Sequence, residues 1–182
     1  MYKRQYAGCT IKYREDSIFL DPRNIELGAR IVTNLEKLYL SLKKLGLKSA
    51  DKNEYFKLSH EIGIPQKNTE NLQNKLFGIE CNFDELNAID FKKGCYVGQE
   101  NTARIKLKDK LSKRLLPIEI IEGNLDNDII SVENNEIGKV LINDNYPYAL
   151  IKVKNEKFNF SKTFSCGSAK VKIKKPDWLQ IT

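Results

Sequence analysis

One stretch of this chain gathers the residue types that thiol chemistry needs: Lys92-Lys93-Gly94-Cys95-Tyr96-Val97-Gly98-Gln99-Glu100. Gly94 and Gly98 give backbone freedom on either side of Cys95, Tyr96 and Val97, so the cysteine can be presented on a sharp turn. If Gln99 opens a helix, the positive end of that helix points back at the sulfur. Lys92 and Lys93 add cationic charge from the other side. Both effects favour the thiolate, the form that attacks electrophiles and ligates metals. Glu100 falls in the first helical turn, where a carboxylate is stabilised, and Arg104 lies on the same helical face, within pairing reach. A tight glycine turn around a buried cysteine is the competing reading of the same residues.

The elements around this stretch follow from hydrophobic period and punctuation. Residues 6–13 and Asp16–Leu20 read as strands, the second ending at the turn signal Asp21-Pro22-Arg23. Leu27, Ile31, Leu35, Leu38, Leu42 and Leu45 recur at helical spacing, which predicts a helix over 25–45 stopped by Gly46. A second helix is expected over 50–62, started near Asp51 and closed by Gly63-Ile64-Pro65. Residues 66–76 read as a loop or short helix, and 101–108 as a helix opened by the cysteine loop. Beyond Lys113 the pattern changes to short alternating runs at 114–121, Ile129–Val132, 136–142, 148–153 and Ala169–Ile173, separated by Gly, Asn and Asp. Such runs argue for a small antiparallel barrel or sandwich. The expected fold class is α+β, with a mixed domain at 1–110 and an all-β domain at 111–182.

Bulk composition narrows the function classes. At 182 residues, 41% of them hydrophobic, the chain can bury a core without disulfide or metal staples. No apolar run approaches the length needed to span a bilayer, so no membrane role is expected. The N-terminus has basic residues but no apolar block behind them, which argues against a secretory signal and for a cytoplasmic protein. The cysteines, Cys9, Cys81, Cys95 and Cys166, are widely spread with no Cys-x-x-Cys pair, so no self-contained zinc or iron–sulfur site declares itself. Cys9, Cys81 and Cys166 are expected to be small buried apolar residues. His60, the lone histidine, is read as a structural or surface residue. The net charge of +7 favours anionic partners in general and specifies none.

Lys93-Gly94-Cys95-Tyr96-Val97-Gly98-Gln99-Glu100 resembles the Lys-Gly-Cys-Tyr-x-Gly-Gln-Glu signature of the YgfZ family, folate-binding proteins similar to the T-protein (aminomethyltransferase) of the glycine cleavage system. The lead-in Asp84-Glu85-Leu86-Asn87-Ala88-Ile89-Asp90-Phe91 and the continuation Thr102-Ala103-Arg104 are similar to the family's flanks. Asp21-Pro22-Arg23, Leu27-Gly28-Ala29-Arg30 and Gly63-Ile64-Pro65 resemble further family segments. The resemblance implies the C-terminal part of a T-protein-like folate-binding fold followed by a β-barrel. It implies an accessory factor in iron–sulfur cluster assembly or repair, sustaining enzymes such as tRNA-modifying methylthiotransferases. Cys95 would be the reactive thiol or a cluster ligand. One thiolate cannot hold a cluster that needs four ligands, so the cluster would be shared with a partner or glutathione. Tetrahydrofolate is the implied small ligand, with Arg30, Tyr96 and Glu100 as its contacts. The family's usual N-terminal part does not precede the Asp-Pro-Arg segment here, and a separate N-terminal half is a candidate partner. Ser59 stands where family members carry an arginine.

Two other classes fit parts of the chain. One is a folate-dependent aminomethyltransferase-like enzyme. The other is a basic RNA-binding module, with tRNA as a candidate contact, built on Lys106, Lys108, Lys110, Lys113 and Arg114 and on Lys170, Lys172, Lys174 and Lys175. The alternation in the latter run is what a half-exposed edge strand would show.

Overall fold

The computed structural model describes residues 10–13, 16–44, 46–94, 99–107 and 111–180. Strands β1 (Thr10–Tyr13), β2 (Asp16–Leu20) and β3 (Ala29–Val32) form an antiparallel sheet in that order, with Ile18 opposite Ile31. Helices α1 (Leu35–Lys44) and α2 (Lys52–Ile62) follow, then an irregular segment of successive turns, then α3 (Gln99–Leu107). The rest is a closed barrel of β4 (Lys113–Glu122), β5 (Ile129–Val132), β6 (Asn135–Ile142), β7 (Tyr148–Lys152), β8 (Thr163–Cys166) and β9 (Ala169–Ile173), ordered β4-β7-β6-β5-β8-β9. The fold is α+β, as the sequence predicts.

Alternation is strict on β8 and β9. On β9, Ala169, Val171 and Ile173 face inward and are buried, while Lys170 and Lys172 are exposed. Leu116, Ile118, Ile130, Ile151 and Phe164 meet them in the same core. The hairpin between β5 and β6 turns through Glu133 and Asn134 at φ 48° and 63°. Two successive left-handed residues give the turn whose twist matches the flanking strands. β9 pairs with both β4 and β8. It is therefore not the edge strand its lysine alternation suggested, because closure removes that edge. β8 itself escaped the sequence reading, its Thr163-Phe164-Ser165-Cys166 offering only two apolar positions.

The helix expected over 25–45 divides into three elements. Asn24 caps a 3-10 turn at Ile25–Leu27, Gly28 takes φ 82° and ends it, and β3 follows. Asn34 then restarts the chain as α1, its Oδ1 accepting from the Glu36 N–H at 2.9 Å. Helical spacing persists across the break because Leu27 is buried in the 3-10 turn, Ile31 pairs in the sheet and Leu35 begins the helix. The periodicity is real, but the glycine and the asparagine cap outrank it locally.

α2 closes as expected. Asp51 caps it by accepting from Asn53 N–H at 2.6 Å, and Gly63 ends it in the left-handed region at φ 86°. A Cβ on Gly63 would lie 2.4 Å from Pro176 Cγ. Gly63→Ala is therefore expected to cost roughly 2–4 kcal/mol, combining left-handed strain with overpacking. A thermal unfolding scan checks this, and an unchanged Tm would contradict the packing described.

Hydrogen bonds tie α2 and the turn segment to the barrel. Trp178 Nε1 donates to Ile62 O at 2.7 Å, Asn82 Nδ2 donates to Leu115 O at 2.8 Å, and Leu115 N–H donates to Glu80 O at 2.8 Å. His60 is buried, with Nε2 3.1 Å from Pro147 O and its ring edge-on to Tyr148. Burial lowers its pKa, with the Lys174 charge adding to that against the opposing Pro147 carbonyl. It is a structural histidine.

Candidate functional site

Cys95, Tyr96, Val97 and Gly98 lie outside the described residues. The structure defines the two flanks instead. Lys92, Lys93 and Gly94 are exposed, and the Lys92 N–H donates to Asp90 Oδ1 at 2.9 Å. The chain re-enters at Gln99 as the first residue of α3, as the sequence reading required of a helix opened by this loop. Glu100 in the first turn and Arg104 further along are exposed, with the acid nearer the positive end and the bases nearer the negative end. Lys106, in the last turn, pairs with Asp84 and stands over the Phe91 ring at 4.6 Å. α3 is thus strapped back onto the segment that precedes the loop. Five Cα steps separate Gly94 from Gln99, so the loop spans at most about 18 Å.

The segment before the loop is positioned in turn by the other motif segments. Asn87 Nδ2 donates to Pro22 O at 3.1 Å, fastening the lead-in to the Asp-Pro-Arg turn. Leu27, Ile64 and Leu86 form one buried cluster, with Tyr55, Ile62 and Trp178 packed around it. The Leu-Gly-Ala-Arg, Gly-Ile-Pro and lead-in segments therefore share a core. Sequence reading identified all of them but had no means of placing them in contact.

Asp21 is the polar hub of this assembly and is 1% exposed. Arg23 donates to it through its backbone N–H, Nε and Nη2 at 3.0, 3.0 and 2.8 Å, and Arg30 through Nε at 2.7 Å. With its amide oxygen turned toward the guanidinium, Gln66 accepts from Arg23 as well. Burial alone would raise the Asp21 pKa. The hydrogen bonds from Arg23 and Arg30 outweigh burial and hold it at about 2. Because the folded pKa lies below the unfolded value, the stabilisation is full above about pH 4 and is lost as pH falls through 2. From a shift of nearly two units it amounts to about 2 kcal/mol. Acid titration of unfolding free energy should show that loss in the wild type and a flatter profile in Asp21→Asn, which starts less stable at neutral pH. Equal slopes would contradict the hub.

A cavity of about 410 Å³ opens between the lead-in, α3 and the barrel, lined among others by Asp84, Glu85, Lys106, Arg114 and Trp178. Glu85 Oε1 receives Arg114 Nη2 at 2.6 Å, both side chains being almost buried. Arg114 Nη1 reaches Asn82 Oδ1 at 3.3 Å. Glu85 Oε2 is buried with no hydrogen-bond partner. Neither Asn82 nor the Glu85–Arg114 pair was singled out from sequence. Their partners are about thirty residues apart in the chain, beyond the reach of local pattern.

The remaining thiols are unsuited to chemistry. Cys81 packs against Leu115, Ile142 and Tyr148, and burial with Glu80 nearby pushes its pKa up to about 11. Cys166 is buried in the barrel, donates to Asn127 O at 3.0 Å, and is raised by burial and by Asp128 and Asp126. Both stay protonated at neutral pH. Cys9 lies outside the described residues. Among the described residues no group of three or more His, Cys, Asp or Glu could hold a metal. No described helix is long and apolar enough to cross a membrane. Several lysines of the basic runs are already paired: Lys106 with Asp84, Lys170 with Glu122 at 2.6 Å, Lys174 with Glu119 at 3.9 Å, and Arg114 with Glu85. Lys108 and Lys110 fall outside the described residues.

Arg30 and Glu100 are not brought together. Arg30 is half exposed on β3 and committed to Asp21, while Glu100 stands on α3, and no hydrogen bond, ion pair or described cavity joins them. Tyr96, the third expected folate contact, lies outside the described residues.

No protein-family model matches the chain. Curated relatives do. A Dictyostelium discoideum protein named iron–sulfur cluster assembly factor IBA57 homolog, mitochondrial, is 38% identical over 105 residues, covering 56% of this chain and 25% of that protein. A Neurospora crassa protein of the same name is 37% identical over 97 residues, covering 53% of this chain and 22% of its own. The mouse iron–sulfur cluster assembly factor IBA57, mitochondrial, is 34% identical over 106 residues, covering 58% and 28%. The chain spans about a quarter of the length of the curated relatives it matches. Each relative is named as mitochondrial, which overturns the cytoplasmic placement expected from the sequence. That expectation rested on the lack of an apolar block, which mitochondrial leaders do not carry.

Proposed function

From kinship with the iron–sulfur cluster assembly factors of the YgfZ-like family, we propose that this chain carries the cysteine-loop region of a factor that assembles or repairs iron–sulfur clusters. Cys95 is its working thiol and the mitochondrion its compartment. The observation that carries the reading is the anchoring of both loop flanks. Asp84 and Phe91 before the loop hold Lys106 after it, and the lead-in is fixed to the Asp-Pro-Arg turn through Asn87. A loop framed this way has its two ends held in register, as a thiol that must meet a cluster on another protein requires.

The cluster is the substrate. Because iron–sulfur clusters are held by several thiolates, and Cys81 is half-buried, Cys166 buried and both protonated, the other ligands come from an assembly protein, a client enzyme or glutathione. Clients include tRNA-modifying methylthiotransferases. Lys92, Lys93 and the N-terminus of α3 bias the loop toward thiolate.

The test is a chimera. The Dictyostelium relative, with its matched segment replaced by this chain, is expected to restore iron–sulfur enzyme activity in cells lacking the native factor. A chimera that accumulates as folded protein yet restores nothing would overturn the reading.

A further inference from the structure

Three neighbouring barrel strands gather lysines around one groove. Lys113 on β4 lies directly opposite Lys152 on β7, and Lys139 on β6 lies opposite Leu150, two residues along β7 from Lys152. Like charges directly opposite one another in a sheet are destabilising, so folding alone gives no reason for the Lys113–Lys152 pair. With Lys75 from the turn segment, these side chains line a groove of about 330 Å³, and half-exposed Leu141 and Leu150 line it with them. Among the described residues Glu136 is the one acid lining the groove, and Lys152 already holds it at 2.8 Å. The hydrogen bond from Lys152 lowers the Glu136 pKa, and the charges of Lys113 and Lys139 add to that. Three cations therefore surround one carboxylate, and Lys75 makes a fourth along the groove.

An excess of positive charge beside apolar side chains selects an anion that is itself partly apolar. Nucleic acid fits less well. Among the described residues that line the groove none is aromatic, so bases have no stacking surface, and none is arginine, so phosphates meet no bidentate fork. We propose that this groove docks an acidic segment of a partner protein, its carboxylates meeting Lys113 and Lys139 and an apolar side chain between them resting on Leu150 and Leu141. Strand spacing sets the pattern of that segment. Lys113 and Lys139 stand two strands apart and two residues out of line, so their Cα atoms are roughly 12 Å apart. Extended chain covers that distance in about four residues. Residues two apart in an extended chain face the same side. The segment therefore carries two acids four positions apart with an apolar residue midway. The inference is independent of the role of Cys95.

Fluorescence anisotropy at low ionic strength tests this with a labelled, end-blocked Glu-Glu-Ser-Leu-Ser-Glu-Glu peptide and a uridine oligonucleotide of equal charge. The peptide is expected to bind this chain, and Lys113→Glu with Lys139→Glu to weaken it at least about tenfold. Lys43→Glu with Lys44→Glu on α1 changes the net charge equally and should leave the affinity within about twofold, since those residues are remote in the fold from the groove. Serine in place of the peptide's leucine should weaken binding as well. Lys113→Glu turns the like pair with Lys152 into an opposite one, so that variant should melt no lower than the parent, which separates lost binding from lost folding. A peptide that fails to bind the parent, or that both double reversals weaken equally, would overturn the proposal. So would an oligonucleotide that binds more tightly than the peptide and is lost on the groove reversal, which would assign the surface to RNA. A peptide that binds this chain but not the folded chimera would do the same, by making the groove an internal surface of the longer protein. Cys95→Ser should leave peptide binding unchanged, so failure of the docking groove and failure of the cluster reading are told apart.

Discussion

Cys95→Ser in the chimera is expected to lower iron–sulfur enzyme activity by at least about tenfold while Tm stays within about 2 °C of the parent. Loss of an outer-shell contact alone weakens metal sites by roughly 10–100-fold, so loss of a ligating sulfur should do no less. A serine hydroxyl stays protonated at neutral pH and is a poor ligand for cluster iron, whereas the proposed reading has Lys92, Lys93 and the start of α3 favour a thiolate at Cys95. No other described cysteine can substitute, because Cys81 is half-buried and Cys166 buried, both with raised pKa values. Cys81→Ala and Cys166→Ala should accordingly change stability more than activity. The opposite pattern, with activity following Cys81 or Cys166, would place the chemistry elsewhere.

The second large effect is expected at Arg114. Arg114→Leu leaves Glu85 with neither oxygen paired in a nearly buried position, its Oε2 being already without a partner. Removing one partner of a buried ion pair costs about 3–5 kcal/mol, and the slight exposure of both side chains reduces this to roughly 2–4 kcal/mol. Glu85→Leu with Arg114→Leu should recover most of that loss, since apolar side chains of similar volume can replace a buried pair at little cost. Urea unfolding of the two variants checks both statements. The pair joins the lead-in to the first barrel strand, beside the Asp84–Lys106 contact that holds α3. Arg114→Leu should therefore also lower cluster activity, and the double variant should restore part of it. A single variant as stable as the parent would remove the pair from the account of how the loop is held.

What could be read from the chain divides by range. The helix after the cysteine stretch and the α2 caps depend on neighbouring residues, and their types and order were legible. β9 was legible as an alternating strand but not as an enclosed one, since closure depends on pairing with β8, whose two apolar positions did not mark it as a strand. The segment around Gly28 misled because three different elements kept one helical spacing. Asp21 was legible as a turn residue. Its role as a clamp on Arg23 and Arg30 depends on β3 returning alongside β2, which the expected helix excluded. The Glu85–Arg114 pair and the lysine groove across β4, β7 and β6 depend on tertiary placement, and no local pattern encodes either.

The most direct measurement is anaerobic cluster reconstitution on this chain with iron, sulfide and glutathione, followed by gel filtration and assay of bound iron and sulfide. The variant in which Cys9, Cys81 and Cys166 are all alanine is predicted to retain the cluster, and Cys95→Ser alone is predicted to lose it. A cluster that survives Cys95→Ser, or that disappears when only the other three cysteines are replaced, would contradict the assignment of Cys95 as the working thiol.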